Sequence, residues 1–172
     1  MEIILAENHG FCYGVKRAVE MADEAANSEG KSYTLGPIIH NPQVVGRLES
    51  KGVSPIQEVA DIDEGTMIIR SHGVGPAIYA EAEEKGLHIL DATCPHVKKA
   101  QQDAKSVIED GMTLVILGEK NHPEVKSINL WANNKGIIIE DENSAEKLQI
   151  VEKMGVVVQT TFSQFKFNSI IE

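Results

Sequence analysis

Three things are scarce in this sequence. Two cysteines in 172 residues are too few for a disulfide scaffold, and a structural bridge between them is not expected in a reducing compartment. Lys and Arg number 16 against 26 Asp and Glu, a formal charge of -10. That balance argues against a general nucleic-acid binder, because affinity for a phosphate backbone comes mainly from Lys and Arg. No apolar run approaches the roughly 18 to 20 residues needed to cross a bilayer. The opening MEIILAENHG meets an acid at position 2 and polar residues by position 7, unlike a secretory signal peptide. The expectation is an acidic, soluble, cytoplasmic protein with neither nucleic acid nor membrane as partner.

What is present is globular: 42% of residues are hydrophobic and 24% charged. Short β-branched runs, at Ile3–Leu5, Tyr33–Ile39, Thr66–Ile69, Leu87–Leu90, Thr113–Leu117, Gly136–Ile139 and Gly155–Val158, read as strands. Between them, helices are predicted at Val15–Asn27, Pro42–Lys51, Pro76–Lys85, Pro95–Asp110, Pro123–Asn133 and Ala145–Lys153. Four of these open on proline, whose missing N–H costs nothing in a first turn. Strand-helix alternation of this kind predicts an α/β fold with mostly parallel sheet.

The chain also repeats itself. Leu35-Gly36 followed by His40, Pro42 and Val44 matches Leu117-Gly118 followed by His122, Pro123 and Val125. His40 and His122 are 82 residues apart, and so are Cys12 and Cys94. Equal offsets within matching sequence predict two tandem related α/β units, residues 13–94 and 95–172, preceded by an N-terminal strand in residues 1–12. A third unit would place a third cysteine beyond residue 172. The last stretch, from Phe162 to Glu172, reads as an apolar helical stripe begun and not finished. A chain cut short is therefore expected, against the alternative of a two-unit protein with a frayed last helix.

In open α/β sheets, ligands bind beyond the carboxyl ends of the strands. Six successive strand ends carry Cys12, His40, His72, Cys94, His122 with Glu124, and Thr160. Convergence of the set on one site is expected, although any one histidine alone reads as an ordinary surface residue. Both cysteines stand between a strand and a helix start, where negative charge is stabilised and sulfur is suited to ligate metal. Cysteines this far apart form no zinc ribbon or thioredoxin motif. They remain compatible with an iron–sulfur cluster, which wants more thiolates than two. The histidines suggest an anion, because imidazole donates to phosphate oxygens. Glu124 is a candidate proton donor. Lys16, Arg17, Lys98 and Lys99 read as solvated helix residues, and His9, His88 and His96 as structural or exposed.

Gly10-Phe11-Cys12-Tyr13-Gly14-Val15-Lys16-Arg17-Ala18, Ile39-His40-Asn41, Ser71-His72-Gly73-Val74, Asp91-Ala92-Thr93-Cys94-Pro95, His122-Pro123-Glu124 and Gln159-Thr160-Thr161 stand in this order. Together they resemble the 4-hydroxy-3-methylbut-2-enyl diphosphate reductases, iron–sulfur enzymes of the last step of non-mevalonate isoprenoid biosynthesis, from residue 1 to about residue 163. The resemblance implies a three-unit trefoil, of which this chain holds the first two-thirds, around a [4Fe–4S] cluster held by three cysteines, two of them Cys12 and Cys94. It implies diphosphate binding by His40, His72 and His122, proton supply by Glu124, and placement of the substrate hydroxyl or proton relay by Thr160. The products would be isopentenyl and dimethylallyl diphosphates, the electron donor ferredoxin or flavodoxin, and the full-length form a monomer or weak dimer. It also implies that the third cysteine lies in a third unit, that the first strand pairs with that unit, and that these 172 residues alone are inactive or nearly so. Two other readings stay open on the residues alone: a non-catalytic phosphate- or metal-binding module, and a thiol-redox protein using Cys12 and Cys94.

Overall fold

A computed structural model describes residues 2–7, 9–149 and 152–171. Helix α1 (Tyr13–Ala26) leads into a first sheet made of β1 (Ser32–Leu35), β2 (Val53–Ile56), β3 (Thr66–Ile69) and β4 (His88–Asp91), with α2 (Pro42–Ser50) and α3 (Pro76–Glu84) as crossovers. All four strands run parallel in the order β2-β1-β3-β4. Helix α4 (Pro95–Glu109) passes to a second parallel sheet, β6-β5-β7, built from β5 (Thr113–Leu117), β6 (Ile137–Ile139) and β7 (Met154–Val158). Helices α5 (Pro123–Trp131), α6 (Glu142–Ala145) and α7 (Gln164–Ile171) complete the chain. The fold is the α/β class with parallel sheets that the alternation predicts.

Parallel sheets need cover on both faces, and the strand pleat supplies it. On β3, Ile68 packs with Ala18, Ala22, Leu48 and Val53 under α1 and α2. Its neighbours Met67 and Ile69 point the other way, to Ala82 and Leu87 beside α3. The second sheet repeats the arrangement. Leu114 and Ile116 meet Ala104, Val125 and Ile128 of α4 and α5, and Val115 and Leu117 meet Leu148, Phe162 and Phe167 on the opposite face. Each central strand is thus sandwiched, which fixes the height of the loops leaving its carboxyl end.

Three expectations are corrected. The run Tyr33–Ile39 stops being strand after Leu35, because Gly36 turns at φ +70° and Pro37 has no N–H to add to the ladder. Strand β2 is not anticipated at all; it is four residues long and contains Pro55, tolerated because β2 lies on the sheet edge. The helix expected over Ala145–Lys153 is instead α6, begun earlier by a capping box. Asp141 accepts from the Ser144 N–H at 2.8 Å, and Ser144 Oγ accepts from the Asp141 N–H at 3.1 Å. Past Ala145 the chain leaves the helix and Leu148 packs under the sheet; residues 150 and 151 lie outside the described residues. The run Ile3–Leu5, expected to pair with a further unit, forms no strand among the described residues, and its three side chains are 74%, 83% and 76% exposed.

Candidate functional site

The tips of β1 and β3 and the start of α5 bring three histidines together. His40 sits just before α2, where Asn41 caps the helix by accepting the Val44 N–H at 3.1 Å. His72 lies in the tight turn after β3, closed by a bond from the Gly73 N–H to the Arg70 carbonyl (3.0 Å). Gly73 has φ +71°, and a Cβ there would strike the amide of buried Gln101, so glycine is required on both counts. His122 caps α5: its Nδ1 accepts the Glu124 N–H at 3.2 Å. That bond assigns the proton of neutral His122 to Nε2, leaving it a donor on its free side. Ring centroids are 4.9 Å apart for His40 and His72 and 5.4 Å for His72 and His122.

His72 is the central ring and the most perturbed. Burial, followed by the unfavourable neighbourhood of His40, Arg70 and His122 for a second positive charge, pushes its pKa down to about 4. Its Nδ1 is buried without a hydrogen-bond partner. A neutral imidazole with unspent donor capacity, flanked by two more, suits an anion: the anion would reverse the repulsion that now lowers the pKa.

Glu124, in the first turn of α5, is 2% exposed. One carboxylate oxygen accepts the Thr160 N–H at 2.6 Å and the other the Thr160 hydroxyl at 2.9 Å. Thr160 follows β7, so this pair joins the ends of two neighbouring strands. Gln159 braces the same corner, accepting the Glu119 N–H at 2.9 Å and donating to Thr161 Oγ1 at 2.9 Å.

Cys12 and Cys94 cap α1 and α4, and both are free thiols. Cys94 is tied to the histidine turn, since its N–H donates to the Ser71 carbonyl at 3.0 Å. A Cβ on Gly14 would lie 2.5 Å from Cys94 Sγ, so the sulfur of Cys94 rests on α1 two residues past Cys12. A cleft of about 260 Å³ lined by Phe11, Val15, His40 and His72 runs from the Cys12 end of α1 to the histidines. Two soft donors at adjacent helix starts fit part of an iron–sulfur ligand set. Among the described residues no group of three or more Cys, His, Asp or Glu is placed to hold a metal.

Some residues that shape the site do not stand out in the sequence. Ser127, 2% exposed, donates toward the carbonyls of His72 (2.8 Å) and Glu124 (2.9 Å) and accepts from Gln101 at 3.2 Å. It lies between Val125 and Ile128 on the apolar face of α5, and a hydroxyl on that face is the signal that would have found it. Arg17, expected on a solvated face, is half-buried and donates to the Thr93 carbonyl at 3.3 Å, bracing the loop that carries Cys94. Lys98 pairs with Asp91 at 2.7 Å and Lys99 with Asp103. His9, His88 and His96 are exposed.

A family model described as "LytB protein" matches residues 3–172. The 4-hydroxy-3-methylbut-2-enyl diphosphate reductase of Geotalea uraniireducens is 48% identical over 172 residues, which is 100% of this chain and 61% of that protein. A solved structure of (E)-4-hydroxy-3-methyl-but-2-enyl diphosphate reductase, terminal enzyme of the non-mevalonate pathway, superposes with a TM-score of 0.86 at 44% identity, covering 98% of this chain and 62% of the other. The corresponding reductase of Plasmodium falciparum gives a TM-score of 0.90 at 32% identity, over 96% and 53%. The chain therefore spans about 60% of the length of the curated relatives it matches.

Proposed function

This chain belongs to the LytB protein family, and on that footing we propose that it supplies two of the three units of a 4-hydroxy-3-methylbut-2-enyl diphosphate reductase. The observation that carries the proposal is the meeting of His40, His72 and His122 beside both the Glu124–Thr160 pair and the two cysteines. The resemblance of the relatives favours this reading over a bare phosphate-binding module or a thiol-redox protein.

The reaction breaks the allylic C–O bond of the substrate, takes up two electrons and two protons, and releases water with isopentenyl or dimethylallyl diphosphate. His40, His72 and His122 hold the diphosphate. Three imidazoles donate hydrogen bonds to an anion without a permanent cationic cluster. Glu124 holds a proton at its carboxyl and passes it toward the hydroxyl that leaves as water, with Thr160 Oγ1 as the neighbouring donor and acceptor in the relay. Cys12 and Cys94 would hold a [4Fe–4S] cluster together with a third cysteine from elsewhere. Such a cluster, when bound, supplies the electrons, received from ferredoxin or flavodoxin, and a Lewis-acidic iron for the substrate hydroxyl.

Because two thiols are fewer than a cluster requires, these 172 residues by themselves turn over little or no substrate; measurable turnover by a pure, full-mass sample would overturn that. The binding role is tested on the chain as it stands. Side-chain 15N spectra of the histidines, titrated with 4-hydroxy-3-methylbut-2-enyl diphosphate, should show His40, His72 and His122 moving together while His9, His88 and His96 stay in place. Movement confined to the latter three would contradict the proposal.

A further inference from the structure

A second cavity, of about 360 Å³, lies between the two units and is not lined by the three histidines. Its walls include Gly36, Arg70 and Gly75 from the first unit and Asn121, Lys126 and Leu130 from the second. No Asp or Glu lines it, although the chain carries a net charge of -10. Arg70 is half-buried, its Nε is buried without a hydrogen-bond partner, and none of the ion pairs among the described residues includes it. Burial lowers its pKa, yet guanidinium keeps its proton at ordinary pH, so a half-buried charge with no ion-pair partner among the described residues lines the space between the units. An N–H buried without a partner costs free energy that a ligand accepting from it would recover.

Two further features point the same way. Gly36 leaves the guanidinium its place: a Cβ there would lie 2.9 Å from Arg70 Nη1. Gly75 caps α3 and Pro123 opens α5, and both line the cavity, so two helix starts add partial positive charge at its edge. Beside the cations the wall is apolar, with Val74, Ile78 and Leu130; Leu130 is 42% exposed.

The geometry points to this cavity as a binding site for a phosphate ester bearing a short apolar group, its phosphate paired with Arg70 from one unit and Lys126 from the other and its tail against Val74, Ile78 and Leu130. The site is distinct from the histidine cluster and does not depend on the reductase reading. Because its cations come from both units, occupancy ties them together.

The test is calorimetric titration of the 172-residue chain with two probes, inorganic phosphate and 3-methylbutyl phosphate, in a His40→Ala background that weakens the histidine site and leaves the α5 cap and every residue lining the cavity in place. We expect the ester to bind more tightly than inorganic phosphate, because burying a few methylenes is worth about tenfold or more. Arg70→Gln and Lys126→Gln should each weaken the ester about tenfold or more, as expected for loss of a charge-assisted bond. Lys126 is exposed, so its substitution leaves the fold intact and keeps the test clean if Arg70→Gln proves unstable. Equal binding of the two probes would overturn the apolar tail. Unchanged affinity in Lys126→Gln, or loss of all binding in the histidine background, would overturn the site.

Discussion

Both oxygens of Glu124 are held by one residue, Thr160, through its backbone N–H at 2.6 Å and its hydroxyl at 2.9 Å. The carboxylate is 2% exposed, so these two bonds replace solvation it has lost. They also fix its orientation across the ends of β5 and β7. We expect Thr160→Val, which keeps the backbone bond and removes the hydroxyl, to destabilise the chain by about 1–3 kcal/mol, the cost of an unsatisfied buried acceptor. Thr160→Ser should recover most of it. Urea unfolding of the three proteins decides this; equal midpoints would show that the hydroxyl bond contributes nothing.

His72 makes stability depend on pH in a defined window. Its folded pKa of about 4 lies below the ordinary value of 6.5, so between the two the unfolded chain binds the extra proton and the folded chain does not. Stability contributed by neutral His72 is complete above about 6.5 and is lost as pH falls through that window toward 4. The decline should be weaker in His72→Phe. Histidine NMR titration gives the pKa directly, and a midpoint near 6.5 for His72 would contradict the arrangement described.

At Gly14 two effects of opposite sign compete. Replacing a helical glycine by alanine ordinarily stabilises by roughly 1 kcal/mol, but here the new Cβ would sit 2.5 Å from Cys94 Sγ. Overpacking of that kind costs about 1–3 kcal/mol, so Gly14→Ala should destabilise. In a Cys94→Ala background the same change should cost less or turn favourable, a coupling that a double-mutant cycle measures. Additive effects would mean that the two residues do not touch.

Ser127 holds the His72 turn to α5 and to Gln101. Removing its hydroxyl in Ser127→Ala strands the Gln101 amide and the His72 carbonyl in a buried place, at about 1–3 kcal/mol. The His72 resonances should broaden or shift in that variant. An unperturbed His72 spectrum would show that the turn is held by other means.

The fold was readable where apolar period and punctuation agreed. Prolines opened four helices at the predicted positions, and the β5 run, buried on both faces, is strand from Thr113 to Leu117. Reading failed where tertiary context decided. Strand β2 earns its place by pairing with β1 at Ser32↔Val53, a partnership that no local signal announces. The Asp141–Ser144 box moved α6 upstream of its expected span. For the site, the repeat marked His40 and His122 as equivalent, and the strand-end rule collected the remaining residues. Ser127 and Gln101 act through buried hydrogen bonds that they make, and Arg70 through one that its Nε lacks; both depend on what packs against them, which the sequence does not show.

The most direct measurement places residues 1–172 in the Geotalea uraniireducens reductase in place of its matching segment and assays anaerobic reduction of 4-hydroxy-3-methylbut-2-enyl diphosphate. We expect the chimera to form isopentenyl and dimethylallyl diphosphates, and Glu124→Gln within it to lose about two orders of magnitude or more in rate while still binding substrate, as removal of a proton donor does. A folded, iron-loaded chimera that binds the diphosphate but has no activity, or one whose rate is untouched by Glu124→Gln, would contradict the role given to these residues.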